Sequence, residues 1–303
     1  MLKQYRKAHV LLYALWMTLM LGFSKKSLEL VRLAVQNKIM KRLRRQYRSF
    51  IQSYCAAENH GLERRRSNKV WVLWLQGMEQ APPLVQRCYA SLQEHLGERK
   101  IILLTEDNYR EYAKFPDFIQ QKIDSGVITR THMSDLLRLE LLIRYGGTWM
   151  DATVFCSGGE YPAAFFDSDL FLFQCLKPGL DGHPLRISSW FITACTNHPI
   201  LLLSRALLYD YWAKHNDLIE YFLVHDCLEL AIETYPEEWK RVSPYCNSTP
   251  HILLLRMFEQ YQEEIWNDIR TQIAFHKLSY KLENAAARTE DSYCDRILGK
   301  VFD

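Results

Sequence analysis

"SDLLRLELLIRYGGTWMDATV", residues 134–154, sets a helical apolar pattern against a strand-like one across the paired glycines Gly146 and Gly147. After Met133 the helical part is apolar nearly all round, which predicts a buried helix. Asp135 and Arg138 stand three residues apart, hence on one face of its first turns. Beyond the glycines the Thr, Trp, Val and Phe content predicts a strand through Phe155. Trp149, Asp151 and Thr153 then share one face by the two-residue period. A carboxylate in a buried strand is costly unless paired or ligated, so Asp151 requires a partner such as Arg138, a metal ion or a ligand hydroxyl.

Upstream of this stretch, short apolar strands alternate with helices, the pattern of an α/β sheet covered by helices. "KVWVLWLQG" reads as a first buried strand ending near Gln76 and Gly77. Pro82 and Pro83 suit a helical first turn, and the helix that follows has Gly97 as its C-cap. "RKIILLTEDN" is a second strand, whose polar exit lies on the edge where α/β proteins bind ligands. "PDFIQQKIDSG" is a short helix closed by Gly126.

The 303 residues, 48% hydrophobic, suffice for a full-sized core. Eight cysteines carry no Cys-x-x-Cys pair and no metal-ligand spacing, which points to free thiols in a reducing compartment. The net charge of +3 conceals an asymmetry: 16 Lys and Arg face 3 acids through Lys69, and 22 face 32 beyond it. A basic head thus precedes an acidic body, and we divide the chain into a helical segment, 1–66, and a body, 67–303.

Within the head, Val10 to Phe23 is an apolar run of 14 residues, about 21 Å as a helix and too short for a bilayer core of about 30 Å. Val31, Val35, Ile39, Leu43 and Tyr47 recur every four residues among basic ones, a basic amphipathic helix. Two readings follow: an interfacial anchor on an anionic membrane, or a helical subdomain that packs its stripe on the body. No zinc-finger spacing, RNA-recognition signature or recognition helix supports a nucleic-acid partner. Residues 58–69, "ENHGLERRRSNK", read as the linker out of the head.

The stretch at 134–154 resembles the core of glycosyltransferase family 32 and the related capsular polysaccharide synthesis proteins, with a helix beginning Ser-Asp-x-x-Arg and an Asp-x-Asp strand after Tyr-Gly-Gly. "VWVLWLQGMEQAPPLVQRCYASL", "SSWFITACTNHPIL", "YFLVHDCLEL" and "IAFHKLSYK" resemble pieces of the capsular branch in the same order, so the likeness spans roughly residues 69–282.

The resemblance implies a single Rossmann-like nucleotide-sugar-binding α/β domain of GT-A type. It also implies retaining transfer of a hexose from a UDP-sugar to a lipid-linked or oligosaccharide acceptor in capsule or exopolysaccharide synthesis. In such an enzyme Trp74 and Gln76 lie at the nucleotide, Trp74 stacking on uracil. Asp135 and Arg138 bind the sugar hydroxyls, Trp149 and Trp190 flank the donor, and Asp151 holds ribose or sugar and approaches a metal, Mn²⁺ or Mg²⁺. Thr153 replaces the second Asp and removes one negative charge from the metal shell, which hard ions disfavour. His276 and Lys277 compensate by the same likeness, the histidine as metal ligand and the lysine as counter-charge to the diphosphate. Asp151, Arg138 and Lys277 are then the catalytic set, and Asn197 and His198 lie near the donor sugar. The implied location is cytoplasmic, peripheral on the inner face of the cell membrane.

His225 and Asp226 sit in a helical pattern and either line the acceptor side or close an internal hydrogen bond. Residues 175–185, "CLKPGLDGHPL", read as a mobile loop over the site. No dinucleotide fingerprint, P-loop, hydrolase elbow or zinc-protease motif is present. A non-catalytic sugar-nucleotide or glycan-binding relative is the second reading, raised by Thr153.

Overall fold

The computed structural model describes residues 2–57, 62–175, 185–281, 289–299 and 301. In chain order the helices are α1 (Leu2–Lys7), α2 (Leu11–Leu21), α3 (Lys25–Ala57), α4 (Pro83–His95), α5 (Tyr109–Tyr112), α6 (Asp117–Asp124), α7 (Arg130–Tyr145), α8 (Ala164–Asp167), α9 (Pro199–Lys214), α10 (Leu223–Thr234), α11 (Pro236–Trp239), α12 (Ile252–Arg256) and α13 (Glu263–Gln272). The strands are β1 (Lys69–Leu73), β2 (Lys100–Leu104), β3 (Gly147–Met150), β4 (Val154–Cys156), β5 (Leu170–Gln174), β6 (Ile187–Ala194) and β7 (Phe275–Lys277).

Five strands form a mixed sheet in the order β2-β1-β3-β6-β5. The first three run parallel, while β6 is antiparallel to both of its neighbours, so four strands run one way and β6 the other. Strand alternation divides the core. Trp71 and Trp149, paired across β1 and β3, face helices α7, α9 and α10, while Val70, Val72 and Met150 face an aromatic cluster of Phe165, Phe171, Phe191 and Phe275.

The turn from α7 into β3 needs both glycines. Gly146 and Gly147 have φ of +66° and +96°, and a Cβ on Gly147 would lie 2.4 Å from the Lys69 carbonyl oxygen. Only a residue without a Cβ lets β3 approach β1 there. The Trp71 indole nitrogen then donates to the Gly146 carbonyl at 3.0 Å, locking strand to turn. Helix α4, by contrast, ends at Leu96, whose amide donates to Leu92, and Gly97 is not left-handed as a C-cap glycine would be.

The strand expected through Phe155 is broken. β3 stops at Met150, the Asp151 amide bonds the Trp190 carbonyl, and the Val154 amide returns to the Asp151 carbonyl at 3.0 Å in a tight turn. β4 then leaves the sheet and pairs antiparallel with β7. Asp151 is therefore at a strand exit, where its carboxylate retains partial access to solvent.

The head packs closely on the body. Helix α3 runs 33 residues without glycine or proline, about 50 Å. Val31, Val35, Ile39, Leu43 and Tyr47 are each no more than 4% exposed and share one hydrophobic cluster with Leu139, Leu203 and Leu228 of α7, α9 and α10. The amphipathic stripe is thus spent on the body. Arg44 adds a two-pronged pair with Glu233 of α10 at 2.6–3.0 Å. Residues 62–68 are extended and tied down: Arg64 pairs with Glu238 and Arg66 with Asp169. The first residues of the expected linker, 58–61, and nearly all of the expected loop, 176–184, lie outside the described residues.

Helix α2 differs. Leu12, Trp16, Leu19, Met20 and Phe23 lie 56–82% exposed on it or just after it. Among the described residues no helix is long and apolar enough to cross a membrane.

Candidate active site

The first turns of α7 build the floor of a cleft. The Thr129 hydroxyl caps the helix by accepting from the His132 amide at 3.3 Å. One and two turns on, Asp135 and Arg138 pair at 3.1 Å with side chains 11% and 6% exposed. Arg138 also donates to the Ser189 carbonyl at 2.7 Å and the Ser134 hydroxyl at 3.2 Å, stitching α7 to β6. The two terminal nitrogens of the guanidinium are thus engaged while Nε is buried without a partner, and removing one partner of such a buried pair costs about 3–5 kcal/mol.

Asp151 sits above this pair. Its Oδ1 accepts from the Trp149 indole at 3.1 Å and lies 3.7 Å from Arg138, and its Oδ2 is 3.1 Å from the Lys277 ammonium. Lys277 reaches it because β7 pairs with β4 in a register that sets Val154 opposite Lys277. The same ammonium donates to the Thr153 hydroxyl at 2.5 Å. Burial would raise the pKa of Asp151, but the Lys277 charge first and the Arg138 charge second outweigh it and hold the carboxyl below its ordinary value. The carboxylate stays ionised at neutral pH.

The cleft has two chambers, each of about 410 Å³, that share Thr131, Arg138, Asp151 and Lys277. One is bounded by Trp74, Gln76, Trp149, Thr153 and Tyr280. Trp74 packs edge-on against Tyr280 at 5.6 Å, and its indole nitrogen is buried without a partner. The other is lined by Asp135, Trp190 and His225. Trp190 stacks on Phe173 at 4.7 Å and donates to Asn247 at 2.8 Å. The structure thus brings together Trp74, Gln76, Asp135, Arg138, Trp149, Asp151, Thr153, Trp190, His225 and Lys277.

Burial pushes the His225 imidazole down to about 4, against the nearby Asp135. It is therefore neutral at pH 7, and its Nδ1 has no partner. A neutral imidazole facing the cleft can accept a hydrogen bond from a hydroxyl.

Four expected residues lie elsewhere. Asp226, next to His225 on α10, turns about 100° away around the helix into the core, where it is 0% exposed and both oxygens lack partners. Burial, then the Glu220 and Glu229 charges, raises its pKa well above the ordinary value, and it is an interior group outside the cleft lining. His276 alternates with Lys277 along β7 and so faces the opposite way. It is fully buried against Phe155 and Trp266, bonds the Ser157 hydroxyl at 3.1 Å, and is pushed by burial down to about 3. Asn197 donates to the Glu63 carbonyl of the head, and His198 lies 3.7 Å from Glu238 of α11, the carboxylate that pairs with Arg64.

These placements decide how a divalent cation would fit. The expected set of Asp151, Thr153 and His276 does not assemble, because His276 faces away. Asp151 and Thr153 offer one carboxylate and one neutral oxygen, both already engaged by the Lys277 ammonium. Among the described residues no group of three or more His, Cys, Asp and Glu could hold a metal ion. Mg²⁺ at phosphate-bearing sites is held by one or two carboxylates together with water and substrate phosphates; of the expected ligands, Asp151 and Thr153 face the cleft and His276 does not.

Sequence reasoning missed the wall that closes the second chamber. Arg32 and Gln36, one turn apart on α3, line it together with Tyr221 and Phe222 ahead of α10. The basic amphipathic pattern of α3 marked both faces of that helix, but which residues meet the cleft depends on how it docks.

The chain matches the model of the family described as capsular polysaccharide synthesis protein over residues 22–297. It is 32% identical over 95 residues to the O-glycosyltransferase braB of Annulohypoxylon truncatum, covering 28% of this chain and 23% of that protein. The O-glycosyltransferase PaGT of Phomopsis amygdali is 30% identical over 93 residues, covering 27% and 22%. The glycosyltransferase afumC of Aspergillus fumigatus (strain CBS 144.89 / FGSC A1163 / CEA10) is 29% identical over 94, covering 28% and 24%. The chain thus spans less than a quarter of the length of these curated relatives. A solved structure, the PaToxG glycosyltransferase, superposes with a TM-score of 0.40 at 12% identity, covering 88% of this chain and 98% of that one.

Proposed function

Because the chain belongs to the capsular polysaccharide synthesis protein family, we propose that its cleft is that of a glycosyltransferase. It transfers a hexose from a UDP-sugar to a lipid-linked or oligosaccharide acceptor, on a scaffold related to Rossmann-like GT-A domains. The observation that carries this reading is the pair of chambers meeting at Asp151, Arg138 and Lys277. A two-substrate transfer requires such a meeting point, with both reactants held against one charged cluster.

In this reading Trp74 and Tyr280 frame the nucleotide and Gln76 lies at the rim. Asp151 accepts hydrogen bonds from donor hydroxyls, and Asp135 and Arg138 fix its position from below. Lys277 supplies the positive charge that meets the leaving diphosphate, the task expected of a metal ion. The acceptor hydroxyl attacks the anomeric carbon, the bond from that carbon to the phosphate oxygen breaks, and the hydroxyl proton passes to the departing phosphate oxygen. Attack from the leaving-group side gives retention. The head, residues 1–66, holds the enzyme at an anionic membrane on the cytoplasmic side, with the exposed face of α2 as the contacting surface.

The full chain incubated in EDTA with a panel of UDP-sugars and a polyprenyl-phosphate or oligosaccharide acceptor tests the proposal. The expected result is acceptor-dependent release of UDP with one donor. No release with any donor, with EDTA or with Mn²⁺, refutes it.

A further inference from the structure

A groove of about 530 Å³ runs between α2 and α3. Its walls are Ala14, Leu15, Phe23, Leu28 and Val31, and the Thr18 hydroxyl turns inward to the Ala14 carbonyl at 2.8 Å. The surface is therefore apolar yet left open: Leu15, Leu28 and Phe23 are 46%, 47% and 75% exposed. Leaving such side chains in water costs free energy unless something covers them.

Where the groove ends decides what covers it. Arg32 lines both the groove and the second chamber of the cleft. Beyond it Tyr221 and Phe222, 58% and 36% exposed, continue an apolar path toward His225 and Asp151. Arg32 pairs with Glu29 at 3.3 Å across an exposed surface, a contact of little worth. Lys25 adds a second cation at the groove rim.

We propose that this groove holds the hydrocarbon chain of a phosphate-bearing lipid acceptor, with Arg32 at the phosphate and the acceptor hydroxyl in the chamber beside His225. The assignment rests on the transferase reading and gives its acceptor a place. A bilayer would need only the outward face of α2. A concave, apolar channel joined to the reacting cluster through a guanidinium instead matches one chain and one headgroup.

The probe is dodecyl phosphate, kept below its micelle concentration and titrated calorimetrically into the full chain. One site is expected. Leu28→Glu and Leu15→Glu, on opposite walls, should each weaken binding by about tenfold or more, since each sets a charge in an apolar channel. Arg32→Gln should weaken dodecyl phosphate but not dodecanol, and inorganic phosphate should not compete. Leu19→Glu, exposed on α2 outside the groove, should have no effect. Equal losses from Leu19→Glu and Leu28→Glu would point to general adhesion of α2 to lipid and overturn the assignment. So would indifference to both wall variants, or displacement of the probe by inorganic phosphate. Both wall positions are about half exposed, and an unchanged melting curve separates lost binding from lost fold. The titration needs no turnover: binding as stated without consumption of any UDP-sugar sinks the transferase reading alone, whereas transfer to a soluble oligosaccharide with wall variants indifferent sinks the groove alone.

Discussion

Replacing Lys277 with Met tests the central charge of the cleft. The side chain keeps its length and its apolar stem, but the ammonium 3.1 Å from Asp151 and in contact with Thr153 is gone. A unit charge about 4 Å from one phosphate charge is worth about 4 kcal/mol at an effective dielectric of 20. Lys277 is one-fifth exposed, and screening by that solvent reduces the figure to about 2 kcal/mol, or roughly 30-fold in a dissociation constant. Equilibrium titration with UDP in EDTA reads this directly. The wild-type chain should bind with an affinity that Mn²⁺ changes by less than about threefold, and Lys277→Met should lose about 30-fold. Mn²⁺ should then restore part of the loss in the variant, because Asp151 and Thr153 no longer face a competing ammonium. Two results refute the reasoning: a wild-type affinity that collapses in EDTA, or a variant that binds UDP unchanged there.

Three further outcomes are expected. Asp151→Ala should lower transfer at least about 100-fold with little change in melting, since the side chain is 29% exposed; full transfer would remove Asp151 from the site. Gly147→Ala places a Cβ 2.4 Å from a backbone oxygen at a φ of +96° and should cost about 3 kcal/mol or more in urea unfolding, with a loss under about 1 kcal/mol counting against the close approach of β1 and β3. Burial lowers His198, His225 and His276 to about 4, 4 and 3 in the folded chain, while the unfolded chain binds these protons near pH 6.5. Their stabilisation is complete above pH 6.5 and is lost as pH falls below it, by up to about 4 kcal/mol per pH unit when all three titrate; unfolding curves that coincide at pH 7.5 and 5.5 would contradict their burial.

Much of this arrangement is legible in the residues because local period and chemistry agree. The apolar run after Met133, the two glycines and the i, i+3 spacing of Asp135 and Arg138 each read on a single element. The two-residue period set Trp149 beside Asp151, and the indole does donate to that carboxylate. The same period could not show that the chain leaves the sheet after Met150, since a strand looks alike whichever partner it pairs with. Nor could it orient β6, whose antiparallel course depends on the segment before it. His225 and Asp226 were read as a pair although neighbours on a helix diverge by about 100°. Likewise the resemblance sets His276 at the metal and Lys277 at the diphosphate of one site, although neighbours on a strand face opposite ways. Arg32 was hidden for another reason: its place depends on how a long helix docks, which no local pattern carries.

The partnership of Asp151 and Lys277 has a consequence in time. The Lys277 ammonium reaches Thr153 across 124 residues of chain, so during synthesis the strand exit emerges long before its counter-ion. Until β7 docks beside β4, Asp151 faces only Arg138 and the Trp149 indole. Contacts so distant along the chain form late, because the loop between them must first be closed. The cleft therefore acquires its final charge only when the C-terminal part has folded, and an incompletely folded chain presents a carboxylate where the finished protein presents an ion pair to a diphosphate.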